Sequence, residues 1–248
     1  MNPSEITVAP APAERLESLH PALWRAHQLG GGGARSLPSG YPGLDAQLPG
    51  GGWPRAALTE LLLPHAGVGE IRLLGPCLAA TLREGRSAML FDPPAALSGW
   101  ALAQWGIEPE RLLVVSTRPV QSARPDGGDT AWALERALAS GHVGAVLAWL
   151  PPRLRAERLR RLQLAAQAHD GPAFVLREAA AAERPSAAPL RLELRSAGAD
   201  RLAVRMLKRR GPPLAQPLML SLPAVLPAPV AASLAVREAA RAEPAHTA

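Results

Sequence analysis

Little in this chain can form a covalent or metallic staple. A single cysteine, Cys77, stands among 248 residues, so an internal disulfide is impossible, and a lone thiol fits a reducing compartment. The six histidines, His20, His27, His65, His142, His169 and His246, are scattered. None stands at ligand spacing from another or from Cys, Asp or Glu, so no metal is expected. Ser98 and Ser116 have no neighbouring base pattern, so no catalytic triad is expected. Aromatic residues are 4 % of the chain although hydrophobic residues are 48 %, which leaves Leu, Val and Ala to fill the core. Lysine is almost absent: of 27 basic residues only Lys208 is a lysine. No window approaches the ~20 apolar residues that span a bilayer. Residues 1–12 lack a basic stretch followed by an apolar run, so a signal peptide is not expected. A soluble, cytoplasmic protein with no membrane contact is the expectation.

What is present is a basic balance. The formal net charge is +6, which favours nucleic acid or an acidic protein face as partner. A coding bias toward Arg and Ala explains the same number, and composition leaves both accounts open. Cys77 falls in a predicted helix, Glu70 to Arg83, beside Ile71, Leu74 and Leu78, where it reads as a small buried apolar residue.

The length suits one α/β domain with tails. Residues 1–33 read as a disordered Pro/Ala-rich start, a helical arm from Glu14 to Gln28 interrupted at Pro21, and the Gly30–Gly33 joint. Residues 34–222 read as the core and 223–248 as an Ala/Pro-rich tail, with a weak helix near Ser233–Arg241. In the core, apolar runs alternate with helical periodicity. Strands are predicted at Leu58–Leu63, Ala88–Phe91, Leu112–Val115, Val143–Leu150 and Ala173–Leu176. Helices are predicted at Glu70–Arg83, Ala95–Trp105, Thr130–Ala139 and Leu154–His169. This alternation predicts an α/β fold with a mainly parallel sheet flanked by helices. Leu190–Arg195 and Arg201–Leu207, joined by Ser196–Asp200, predict an antiparallel hairpin at the sheet edge with one wet face. The long, polar, Gly/Pro-rich loop Arg118–Asp129 reads either as disordered or as an interaction loop.

The stretch from Ser39 to Ile71 is the most informative. Gly43, Leu44, Asp45, Leu48, Gly50–Gly52, Thr59 and Glu60 resemble the opening of the RecA/RadA ATPase core, in which a Thr-Glu strand leads into a Gly-rich phosphate loop. The turn Pro64–Ile71 stands where that loop would be. A working loop needs G-x-x-x-x-G-K-[ST], with glycines for backbone approach, a lysine against the phosphates and a hydroxyl on Mg²⁺. Here Pro64 takes the first glycine position and has no N–H to give. Gly69 remains, but Glu70 stands at the lysine and Ile71 at the hydroxyl. At ~4 Å and a surface-like dielectric of ~20, a carboxylate facing phosphate costs about 4 kcal/mol per unit charge. Arg72 is off register and does not restore the cradle. Two further positions agree with the resemblance. Pro94 stands where the water-activating glutamate would be, and Trp149 stands at the acidic end of the strand that supports Mg²⁺. These losses predict a chain that is not an enzyme and carries no cofactor. The start of helix Glu70–Arg83 still offers free N–H groups, and Glu70 is placed to occupy them as its own anion.

The resemblance then narrows. Trp105-Gly106-Ile107, Arg111–Val115, Ala131–Leu138, Ser140-Gly141, Gly144–Pro151, Leu159–Ala166 and Leu207–Gly211, in that order, are similar to the ImuA family, translesion-synthesis relatives of RecA and of the division inhibitor SulA. The similarity covers roughly residues 20–222. It implies a non-catalytic accessory protein of damage-induced, error-prone DNA synthesis. The implied partners are an ImuB-type Y-family polymerase homologue, RecA and an error-prone C-family polymerase, with recruitment to the nucleoid. The alternative it leaves open is a SulA-like inhibitor of the tubulin-like division GTPase.

Two basic clusters remain. Arg153, Arg155, Arg158, Arg160 and Arg161 form the densest stretch, with Arg153, Arg160 and Arg161 opposite Leu159, Leu162 and Ala166 at 100° per residue. They read either as a solvated helix face or as a contact for DNA phosphate or an acidic partner. Lys208-Arg209-Arg210 ends a predicted strand with no local neutralisation, and reads as a solvated turn, as a docking point for an acidic protein, or as a weak, non-specific DNA phosphate contact. Aromatics are not interleaved with that second cluster, so base stacking there lacks support.

Overall fold

The computed structural model describes residues 36–117 and 127–224. Two short strands come first, β1 (Ser36–Leu37) and β2 (Trp53–Pro54), paired antiparallel around the short helix α1 (Pro42–Asp45). The alternating core follows: β3 (Leu58–Leu63), α2 (Glu70–Arg83), β4 (Ser87–Phe91), α3 (Gly99–Gln104), β5 (Leu112–Val115), α4 (Gly128–Ser140), β6 (Val143–Trp149), α5 (Ala156–Gln167) and β7 (Ala173–Glu178). It ends in β8 (Leu190–Ser196), β9 (Arg201–Lys208) and β10 (Leu218–Ser221). The eight-stranded sheet runs β10-β9-β8-β3-β7-β6-β4-β5. Strands β3 to β8 pair in parallel, and β8-β9-β10 pair antiparallel. The expected α/β architecture, a mostly parallel sheet flanked by helices with a C-terminal antiparallel hairpin, is what the chain adopts.

Every residue of β3 and β6 is buried, because helices cover both faces of a parallel sheet. On one face, Leu61, Leu90, Leu147 and Phe174 pack with Leu73, Leu74 and Leu78 of α2 and Leu102 of α3. On the other, Leu58, Val146 and Val175 pack with Leu134 of α4 and Leu159 and Leu162 of α5. Trp53 closes the first core edge-on against Phe174, with ring centroids 5.2 Å apart. Cys77 is fully buried there, and burial pushes its thiol up, as its reading as a core residue requires.

Three expectations need correction. The helix foreseen over Ala95–Trp105 starts only at Gly99, after Pro93 and Pro94, where Ser98 caps it by accepting from the Ala101 N–H. The β8-β9 hairpin is not the sheet edge, since β10 lies outside it. That strand was missed because it has four residues and follows Pro212, Pro213 and Pro217. The wet face is only partial: Arg191 and Glu193 of β8 are buried, with carbonyls of the 3₁₀ turn Ala179–Glu183 meeting Arg191, while Arg195 and, on β9, Arg201 and Arg205 are exposed. The elements β1, α1 and β2 carry no expectation of their own, being too short to show periodicity. The N-terminal arm, most of the Arg118–Asp129 loop and all but two residues of the tail lie outside the described residues.

Candidate functional site

The loops after β3 and β4 lead to helices on one face, and those after β5 and β6 lead to helices on the other. The C-terminal strand ends therefore open a crevice, the general ligand position in open α/β sheets. A cavity of about 540 Å³ occupies it, lined among others by Pro64, His65, Asp92, Pro94, Trp149 and Arg177. The sequence-predicted positions Pro64, Pro94 and Trp149 thus converge on one space, although they are distant in the chain.

Gly69, Glu70 and Ile71 do not line that space. Gly69 caps α2 with φ 114°, and a Cβ there would stand 2.7 Å from Leu222 Cδ1. The loop folds back because Glu70 gives it an internal acceptor. One carboxylate oxygen accepts the Gly67 N–H at 2.8 Å and the other the Gly69 N–H at 3.1 Å. Glu70 is 3 % exposed, so the loop's backbone donors face a buried anion of the protein itself. Ile71 packs against the first core. Arg72 turns the other way. Its guanidinium holds Asp200 at 2.5 Å, the Ala199 carbonyl at 3.0 Å and the Pro223 carbonyl, which ties the hairpin turn and the chain beyond β10 to the start of α2.

Two polar assemblies at the cavity escaped the sequence reading. At the end of β4, Asp92 has φ 50°, a conformation that costs a non-glycine residue energy and is held by its surroundings. Its carboxylate accepts the Thr117 N–H at 2.7 Å and the Thr117 and Thr130 hydroxyls at 2.6 Å each. It thereby joins β4, the end of β5 and the start of α4. Beneath the cavity, Glu60 of β3 is flanked in register by its neighbour strands. Arg177 Nη1 and Arg191 Nε each donate to it at 2.6 Å, and Arg177 also donates to the Pro152 carbonyl at 2.7 Å. Glu60 is fully buried and Arg177 nearly so. Among the described residues, the arginine of the cavity wall, Arg177, is therefore committed inward, while Asp92, Asp129 and Glu178 also line the space. Glu60 was visible as part of a Thr-Glu motif, but its two arginines come from strands over a hundred residues away.

The basic candidates separate. Arg153 and Arg160 are exposed, and Arg161 pairs with Glu135 of α4 at 3.0 Å. On the other turn, Lys208 donates to the Ser186 carbonyl at 3.0 Å. Arg209 is half-buried, with its guanidinium on the carbonyls of Gln47 and Pro212. These acceptors are neutral, so Lys208 and Arg209 keep their charge while their side chains are held, and Arg210 is exposed. Among the described residues, no group of three or more metal-ligating side chains comes together, and no helix is long and apolar enough to cross a membrane.

No family model matches the chain. Over 49 residues, 20 % of this chain and 29 % of the relative, it is 51 % identical to a cell division inhibitor SulA of Edwardsiella piscicida. Over 123 residues, half of this chain, it is 32 % identical to a cell division inhibitor SulA of Photorhabdus laumondii subsp. laumondii. That second match spans 65 % of the relative, so the chain spans less than two thirds of either protein's length. The α/β chain is thus similar to SulA over half of its own length.

Proposed function

We propose that this protein is a non-catalytic accessory factor of damage-induced, error-prone translesion DNA synthesis, a RecA-like scaffold that acts by binding macromolecules. The observation that carries the reading is Glu70. Its carboxylate takes the Gly67 and Gly69 N–H groups that a phosphate would need, and a triphosphate would meet a fixed negative charge instead. The cavity wall adds Asp92, Asp129 and Glu178 with an arginine already bound to Glu60. The prolines at 64 and 94 supply neither an N–H donor nor a base, and the indole at 149 supplies no base. A fold without nucleotide chemistry serves through its surfaces, and the ordered series of ImuA-like segments supports an ImuB-type polymerase homologue as first partner. RecA and an error-prone C-family polymerase are further partners of the same assembly.

A second reading is division inhibition by binding the tubulin-like GTPase. The identity to the two SulA proteins favours it. Co-purification of the full chain with the ImuB-type protein and with the division GTPase separates the two. Capture of the first supports translesion synthesis, and capture of the second alone replaces it with division inhibition. ATP hydrolysis above background in the presence of single-stranded DNA, abolished by a change in the 64–71 turn, would overturn both.

A further inference from the structure

We infer that the outer surface of α4 and α5 is a binding face for single-stranded nucleic acid, with Trp132 as its stacking platform. The chain separates Trp132 from the arginine-rich segment by two dozen residues, and the fold brings them together. Trp132, Glu135, Arg158 and Arg161 line one shallow hollow between the helices. The indole is 58 % exposed, although a large aromatic ring gains most from burial. The Arg136 guanidinium lies 5.7 Å from its ring centroid, within cation–π range. One turn beyond Arg160 and Arg161, Leu164 is 57 % exposed on the same helix, which extends the flat apolar surface beside the charges.

Charge selects the occupant. Segments 131–136 and 153–164 hold six arginines and two glutamates. Glu135 is already engaged by Arg161, in an exposed pair that holds its partner weakly. Arg153, Arg155 and Arg160 are exposed, and Arg158 is set aside because it donates to the Gly128 carbonyl. Cations flanking an exposed ring suit a polyanion that also carries planar faces. Unpaired bases offer such faces, and paired bases keep theirs inside the duplex. An acidic peptide would use the arginines but leave the indole idle. The inference needs no other protein, so it stands or falls apart from the translesion reading.

The test titrates the full chain into a fluorescein-labelled oligothymidylate and follows anisotropy at several salt concentrations. The expected result is binding that weakens steeply with salt, with duplex of equal length bound less tightly. Trp132→Ala should raise Kd at least five-fold, and Trp132→Phe, which keeps a ring, should recover most of the loss. Arg160→Ala should raise Kd and flatten the salt slope. Both side chains are exposed, so circular dichroism should show each variant folded. Absence of binding at low salt overturns the inference. So does binding that Trp132→Ala leaves unchanged, or equal competition by polyglutamate, which would make the face a general anion surface.

Discussion

The turn after β3 and the outer surface of α4 and α5 handle charge in opposite ways. In the turn, the buried Glu70 carboxylate spends the loop's donors on the protein itself. On the helices, Arg153, Arg155 and Arg160 point into solvent. The first arrangement holds a shape, and the second keeps its charges available to something outside. That contrast is what the proposed function, contact with another macromolecule, would use.

The sharpest way to probe the inward arrangement is Glu60→Gln. It leaves Arg177 and Arg191 without their shared anion in a place water barely reaches. Removing one partner of a buried ion pair costs about 3–5 kcal/mol. Urea unfolding should register that loss, and a change below about 1 kcal/mol would mean that the network is not what holds β3 to β7 and β8. Glu70→Ala should cost less, about 1–3 kcal/mol, because two backbone donors lose their acceptor at a partly accessible turn. If that variant were as stable as the parent, the self-occupied loop would have no structural weight.

The outward face depends on its helix being anchored, and His169 follows the end of α5. It is buried with no described partner for either ring nitrogen. Burial first, then the nearby Arg86, lowers its pKa to about 4. The unfolded chain takes up its proton near 6.5 and the folded chain does so only near 4. Stability is therefore intact above pH 6.5 and falls as pH drops through that window, by on the order of 1–2 kcal/mol near pH 5. His169→Phe should flatten that part of the stability–pH curve, and an unchanged curve would assign the acid loss to other groups. The smallest effect belongs to Arg160→Ala, which should shift stability by no more than about 0.5 kcal/mol while weakening nucleic-acid binding. A large stability loss there would erase the contrast between the two regions.

Much of the core was legible because parallel strands buried on both faces leave unbroken apolar runs. Leu58–Leu63 was read at its observed bounds and α2 was placed at Glu70–Arg83; the edge strand Leu112–Val115, with Leu113 and Val114 exposed, was legible from its apolar run alone. The short pieces were not legible. β10 has four residues flanked by prolines, and two-residue strands carry no period. At the site, the departures at Pro64, Glu70, Pro94 and Trp149 were readable one at a time from a motif. Asp92 was passed over as a strand end, since only its threonine partners from β5 and α4 mark it. At Lys208-Arg209-Arg210 the charge was legible and the side-chain contacts were not, since the fold brings carbonyls to two of the three side chains.

By itself the sequence determined the alternating α/β order, the buried thiol, and the replacement of lysine by glutamate in the loop, since each is a matter of local pattern or of a single residue's chemistry. Tertiary structure alone decided which arginines serve the interior and which face water. Arg177 and Arg191 reach Glu60, and Arg161 reaches Glu135, only when strands and helices far apart in the chain are brought side by side. Charge in a list of residues has no direction until packing gives it one.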